Sequence, residues 1–169
     1  LGEYLLWRTE EALECYSTAL GLLPETELTM RARLLAGQAL KLHFLQRWPE
    51  AMALARQALD TALRAGARAE ECQARYILGI VLAFLGDAEE GEAHARAARQ
   101  IAEETGQPMF LWVNTFAPTL LATMAGDFEL GEELTNRSAG LGTEAGQPDV
   151  FAVYAAQIHA IRYEQGRLE

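Results

Sequence analysis

Apolar positions recur along the chain at helical spacing, and no stretch alternates apolar and polar residues between hairpin turns as a strand would. The run 70–85 is apolar on almost every face, which predicts a buried helix. The run that follows it places small apolar residues on one face, with arginines between them. Glycine and proline separate the runs. We therefore predict an all-α fold with helices at 9–22, 26–45, 48–65, 68–85, 87–104, 107–125, 127–141 and 148–164.

These helices recur in pairs with a period of about 40 residues. Asp87 and Asp127 share one phase of the period, and Asp87 can cap the helix that follows it. When the sequence is aligned with itself at a shift of 39 positions, Arg8 aligns with Arg47. Two interleaved series of glycines mark the period: Gly66, Gly106 and Gly146, and Gly86, Gly126 and Gly166. We predict one domain over 1–169, with a partial repeat at 1–25, full repeats at 26–66, 67–106 and 107–146, and a partial repeat at 147–169.

Small residues stand at fixed phases of the repeat, where helices must approach closely. On the first helix of a pair these are Ala39 and Gly79, and on the second they include Ala58, Ala98 and Ser138. With the Gly-Asp turns, this pattern resembles the tetratricopeptide repeat. The resemblance implies a right-handed superhelical solenoid of antiparallel helix pairs. The lengthened unit, with its Gly-Gln-Pro junctions, is similar to arms of MalT-like and STAND bacterial regulators and of some large cyclases.

Charge excludes some classes of partner. The chain has 14 basic and 24 acidic residues, a net charge of −10. We therefore expect neither nucleic-acid binding nor attachment to anionic membranes. No apolar run reaches the roughly 18 residues of a membrane span. We predict a cytoplasmic protein, and because the chain begins at Leu1, we expect it to be a piece of a longer one.

Residues with catalytic chemistry are scattered rather than grouped. His43, His94 and His159 fall on different repeats, without metal-ligand spacing. Cys15 and Cys72 are interpreted as inert packing residues on buried faces. The glycines near 140–146 follow no strand and lack a Lys-Ser/Thr end, so a frayed helix end is the preferred interpretation over a phosphate loop. We expect no enzyme activity, no cofactor and no metal site.

The resemblance places the binding surface on the concave wall formed by the first helix of each pair. Stepping the corresponding positions by one period predicts a groove that is apolar and aromatic, with Arg33 as its single basic residue. An exposed binding groove and a surface packed inside the intact protein both remain open. The predicted groove consists of Arg33, Leu40, His43, Phe44, Gln73, Tyr76, Ile80, Phe84, Val113, Phe116, Leu120, Thr123, Met124 and Tyr163.

Two functional hypotheses follow. The first is a non-catalytic module of a larger bacterial signalling protein, binding a protein, a peptide or its own neighbouring domain. The alternative is an arm that senses a small inducer, as the resemblance to MalT-like regulators implies. Tyr76, Phe84 and Phe116 favour the first. Pro118 should kink helix 107–125 and free the carbonyl of Asn114, and we interpret it either as a bend in the superhelix or as a widened pocket. Asn114, Thr123 and the bend at Pro118 leave room for an inducer pocket. Cut repeat ends also predict self-association.

Overall fold

A computed structural model describes residues 9–167. Within them the chain is helical throughout and contains no strand, which confirms the predicted all-helical class. Connections between helices are two to five residues long. The helices are α1 (Thr9–Leu22), α2 (Leu28–Phe44), α3 (Trp48–Ala65), α4 (Arg68–Leu85), α5 (Ala88–Thr105), α6 (Pro108–Val113), α7 (Phe116–Met124), α8 (Phe128–Glu144) and α9 (Val150–Glu164).

From position 46 to position 166, a residue with left-handed backbone conformation recurs every 20 positions, at or just after helix ends. All six glycines predicted to mark the repeat have φ between 62° and 88°. Position 46 shares their phase but is glutamine, and Gln46 has φ 58°. After α2 the amide of Gln46 donates to the carbonyl of His43 and that of Arg47 to the carbonyl of Leu42. This is the Schellman arrangement, which supplies donors to the last carbonyls of a helix.

The polar starts of the helices also follow the sequence pattern. The carboxylate of Asp87 accepts a hydrogen bond from the amide of Glu90 at 3.3 Å. Asp127 does the same for Leu130 at 3.1 Å. Both aspartates cap the helix that follows, as predicted for Asp87.

Neighbouring helices pack in pairs through small residues. Helix α2 packs against α1, α3 and α4, and α8 packs against α6, α7 and α9. Ala39 and Ala58 are fully buried. A Cβ on Gly79 would lie 3.2 Å from the carbonyl oxygen of Gly91, so here α4 and α5 approach backbone to backbone. These contacts require residues with little or no side chain.

The predicted helix 107–125 is wrong, because it is two helices. The break falls at Asn114 and Thr115, three to four residues before Pro118. Pro118 lacks an amide hydrogen and its ring clashes with the carbonyl four residues earlier, so the preceding turn tightens. The amide of Thr115 accordingly bonds three residues back, to the carbonyl of Trp112 at 3.0 Å. The proline therefore interrupts the helix rather than bending it.

Three smaller expectations also need correction. Cys15 is exposed, whereas Cys72 is buried as predicted. Helix α8 continues to Glu144, and Gly142 within it is buried against the indole of Trp112, so this segment is no frayed end. Helix α2 begins at Leu28, not at 26. Arg8, on which part of the shift of 39 rests, lies outside the described residues.

The chain divides into two compact units, Leu1–Ala98 (unit 1) and Arg99–Glu169 (unit 2), with the division inside α5. The core of unit 1 is built from alanine, leucine and isoleucine of α2, α3 and α4, including Ile77 and Leu78. At the phases of the repeat where unit 1 buries alanine, unit 2 buries hydroxyl groups, such as those of Thr135 and Ser138. Each unit has its own candidate site.

Candidate functional site

The structure divides the predicted groove residues between the two units. Those in unit 1 lie on α2 and α4, and those in unit 2 on α6, α7 and α9. In unit 1 they are Arg33, Leu40, His43, Phe44, Gln73, Tyr76, Ile80 and Phe84, and in unit 2 Val113, Phe116, Leu120, Thr123, Met124 and Tyr163.

Four aromatic rings form a cluster where α2 ends, α3 begins and α4 ends. The centroid of His43 lies 5.5 Å from that of Phe44 and 5.4 Å from that of Phe84. Trp48 stacks on Phe84 at 5.1 Å, with an angle of 13° between the ring planes. We call His43, Phe44, Trp48 and Phe84 the aromatic patch. Three of its members were predicted as groove residues, and the structure brings them together.

The patch is accessible although its members support one another. Phe44 is 52% exposed and Phe84 is 41% exposed, while His43 and Trp48 are partly buried. Burial lowers the pKa of His43, and its Nδ1 is buried without a hydrogen-bond partner. The imidazole is therefore neutral at pH 7 and acts as an apolar ring. The ammonium of Lys41, the single lysine of the chain, lies 5.9 Å from the Phe44 ring centroid.

Other predicted residues of unit 1 are engaged within the fold. The guanidinium of Arg33 donates to the buried carboxylate of Glu70, with Nε 2.9 Å from Oε1. Arg33 therefore does not present a free charge to a ligand. Ile80 is buried, and burial raises the pKa of the Tyr76 phenol. These two side chains belong more to the interior than to an open groove.

In unit 2 most of the predicted residues lie on α7, with Val113 at the end of α6 and Tyr163 near the end of α9. Phe116 meets the buried Trp112 edge to face at 5.3 Å. The Thr123 hydroxyl donates to the carbonyl of Thr119 at 2.8 Å. Met124 and Tyr163 are exposed at the ends of α7 and α9.

A cavity of about 150 Å³ opens in unit 2 at the interruption between α6 and α7. Its apolar lining comes from Leu111, Pro118, Leu134 and Leu141. A pocket beside Pro118 was one of the two sequence interpretations of that proline, and the interruption places one there.

The polar lining of the cavity consists of side chains that are hydrogen-bonded within unit 2 and of three charged side chains. The Thr115 hydroxyl is bonded to the Trp112 carbonyl at 2.6 Å and to the Ser138 hydroxyl at 2.8 Å. Asn114 donates from Nδ2 to the carbonyl of Phe110 at 2.8 Å. The charged lining groups are Arg99, Glu103 and Arg137.

Sequence reasoning missed part of both sites. Trp48 was interpreted only as the start of a helix, and stepping by one period does not connect it to Phe84, because their separation falls four positions short of a period. Arg99 and Arg137 lie on the second helices of their pairs, which the groove prediction left out. Their separation falls only two positions short of a period. This near-match was the signal by which the sequence could have related the two arginines.

No protein-family model matches the sequence, and comparison with curated proteins finds no significant relative. Within residues 9–167, no group of three or more His, Cys, Asp or Glu side chains is arranged to hold a metal ion. None of the helices in that range combines the length and apolar character of a membrane span.

Proposed function

We propose that this chain is a non-catalytic interaction module that binds a peptide or protein segment through the aromatic patch. The observation that carries the proposal is the pair of exposed phenyl rings, Phe44 and Phe84, with His43 in contact with both and Trp48 stacked on Phe84. Exposed aromatic rings supply large apolar contacts at binding interfaces. Rings already fixed by their neighbours lose little conformational entropy when a partner covers them.

The proposal also assigns a repeat architecture to the chain. The left-handed turns that recur every half period from position 46 to position 166, the paired helices and the small residues at their contacts support a tetratricopeptide-like, right-handed superhelical solenoid. Such repeats serve as arms of larger cytoplasmic signalling proteins of bacteria, and we assign this chain to that role. Its partner is then a peptide, a second protein or a neighbouring domain of the same protein.

The size of the patch suits a short apolar anchor. Phenyl side chains bury on the order of 150–250 Å² when fully covered. Covering the exposed parts of Phe44 and Phe84 therefore removes roughly 150–200 Å² of apolar surface from water, worth about 4 kcal/mol. The neutral imidazole of His43 adds no charge to be desolvated, and Lys41 adds one positive charge at the edge. We expect a bound segment with one or two large apolar side chains and an acidic residue beside them.

A peptide-display selection tests this. Peptides selected on the wild-type chain are measured by isothermal titration calorimetry against the double variant Phe44→Glu/Phe84→Glu. The control is Leu63→Glu, because Leu63 lies in the same unit and is 53% exposed, close to the 52% of Phe44. Circular dichroism verifies that both variants remain helical.

We expect selected peptides rich in apolar side chains, bound at least about tenfold more weakly by the double variant and equally well by Leu63→Glu. Peptides that bind the double variant as tightly as the wild type would contradict the proposal. Equal losses in Leu63→Glu would also contradict it, because any added negative charge would then suffice.

A second function, sensing of a small inducer, is favoured by one observation, the cavity at Pro118. Ligand pockets combine apolar walls with a few polar groups, and this cavity has both. A ligand held between α6, α7 and α8 would stabilise one arrangement of the interrupted helix over others. Thermal-shift screening with metabolites tests this function, since a sensor must be stabilised by the molecule that it binds.

A further inference from the structure

We propose that the cavity of unit 2 binds a small organic carboxylate whose apolar body is about the size of a benzene ring. This inference deepens the second candidate function by naming the class of ligand, and it is independent of peptide binding at the aromatic patch. It rests on three features of the cavity: its charged groups, its partnered polar groups and its size.

The charged groups that line the cavity are the first reason to expect a carboxylate ligand. Eight arginines in the described part of the chain form ion pairs with carboxylates. Arg31 instead donates to the main-chain carbonyls of Leu20 and Leu23. Within residues 9–167 the guanidinium groups of Arg99, Arg137 and Arg162 have no such partner, and the first two line the same cavity.

Pairing is the rule in a chain with ten more acidic than basic residues, so two unpaired arginines at one cavity stand out. Each guanidinium presents donors in a planar fork that matches the two oxygens of a carboxylate. Glu103 also lines the cavity, which leaves an excess of one positive charge over the three groups. A ligand carboxylate supplies the acceptor that the protein does not.

The partnered polar groups disfavour a polyhydroxyl ligand. The hydroxyl of Thr115 and the amide nitrogen of Asn114 already bond to groups of unit 2 at 2.6–2.8 Å. A sugar placed here would lose hydrogen bonds to water and find few in return. The remaining wall is leucine and proline, which favours an apolar ligand body.

The volume sets the size of that body. A cavity of about 150 Å³ lined by apolar side chains holds one benzene molecule. The cavity here has about this volume. Benzoate therefore represents the class, with its ring against Leu111, Leu134 and Leu141 and its carboxylate toward the arginines. Benzamide, which has nearly the same shape and no charge, is the matched neutral compound.

The experiment titrates the intact chain with benzoate and with benzamide at about 0.15 M salt, where long-range charge effects are screened. Binding is followed by heteronuclear NMR. We expect saturable benzoate binding in the millimolar range, normal for a ligand of about nine heavy atoms. The shifts should centre on residues 111–118 and 134–141, and benzamide should bind at least about fivefold more weakly.

Substitutions of the charged lining residues test the direction in which each one changes the affinity for benzoate. Arg99→Gln and Arg137→Gln should each weaken benzoate binding at least about fivefold, and Glu103→Gln should strengthen it. Arg162→Gln is the matched control, because Arg162 is an exposed arginine of unit 2 that does not line the cavity. Phe44→Glu/Phe84→Glu should leave benzoate binding unchanged.

Equal binding of benzamide and benzoate would overturn the carboxylate assignment while leaving a sensing cavity in place. Equal weakening by Arg162→Gln and Arg137→Gln would overturn it as well, because the effect would then be one of net charge. Absence of saturable binding by both compounds would overturn the site itself, while peptide binding at the aromatic patch would stand.

Discussion

Glutamine at position 46 adopts a backbone conformation that the repeat elsewhere assigns to glycine. Its φ is 58°, and that of Gly66, half a period later, is 63°. Both residues close a helix with the same two hydrogen bonds, from their own amide and from the next one. Gln46 is exposed, and a Cβ on Gly66 would meet nothing within 4 Å. Exchanging the two residue types therefore changes the backbone preference and little else.

The expected magnitude follows from two opposing terms. An L-residue in the left-handed region costs roughly 1–2 kcal/mol through the clash of Cβ with the following carbonyl. Glycine avoids that clash but loses more chain entropy on folding, by roughly 0.5–1 kcal/mol. Gln46→Gly should therefore raise the free energy of unfolding by about 0.5–1 kcal/mol. Gly66→Gln should lower it by a similar amount.

Urea unfolding followed by circular dichroism measures both changes, and an unchanged slope against urea shows that the unfolded state is comparable. The thermal midpoint should rise for Gln46→Gly and fall for Gly66→Gln, by about 2–4 °C for each kcal/mol. If Gln46→Gly is neutral or destabilising, the reasoning is refuted, because the left-handed turn then imposes no steric penalty at this position.

Three further outcomes are expected. Gly79→Trp should cost more than about 2 kcal/mol of unfolding free energy, because its Cβ would already lie 3.2 Å from a backbone carbonyl oxygen of α5; a Tm equal to that of the wild type would contradict the packing described for α4 and α5. Arg33→Ala should destabilise the chain more than Arg33→Ala/Glu70→Gln, since the single change leaves the buried Glu70 carboxylate without its arginine; urea unfolding of both variants decides this. Burial lowers the pKa values of His43 and His94 below 6.5, so the unfolded chain binds more protons and stability should fall as the pH drops below about 6.5. His43→Phe should make that fall shallower, and an equally steep fall would show that His43 does not contribute to it.

Glu70 and Glu71, at the start of α4, form one set of ion pairs within their own helix and another with a neighbouring helix. Acidic residues in a first turn are expected from the helix dipole. Although burial alone would raise the pKa of Glu71, its hydrogen bonds to Arg75 and Arg68 lower it. Glu70 instead reaches across to Arg33 on α2. The first arrangement follows from spacing along one helix, whereas the second required the neighbouring helix to be in place.

The sequence by itself determined that the chain is helical and placed most helix ends within a few residues. Periodicity, Gly-Asp turns and Pro at helix starts are local signals, because they reflect the dihedral preferences and hydrogen bonds of adjacent residues. The boundaries of α3 and α4 were therefore predicted to the residue. The same signals marked Pro118 as an irregular point and predicted a bend, whereas the structure has a break at Asn114 and Thr115.

Only the tertiary structure decided which side chains meet. Stepping by one period selects equivalent positions on first helices, so it found Phe44 and Phe84 but not Trp48, which reaches the patch from the start of a second helix. It also could not show that Glu70 neutralises Arg33, or that Arg99 and Arg137 lie at one cavity without carboxylate partners. Contacts between helices depend on side-chain direction and on the shape of the surrounding core. Those properties belong to the packed chain and are not encoded in any single window of it.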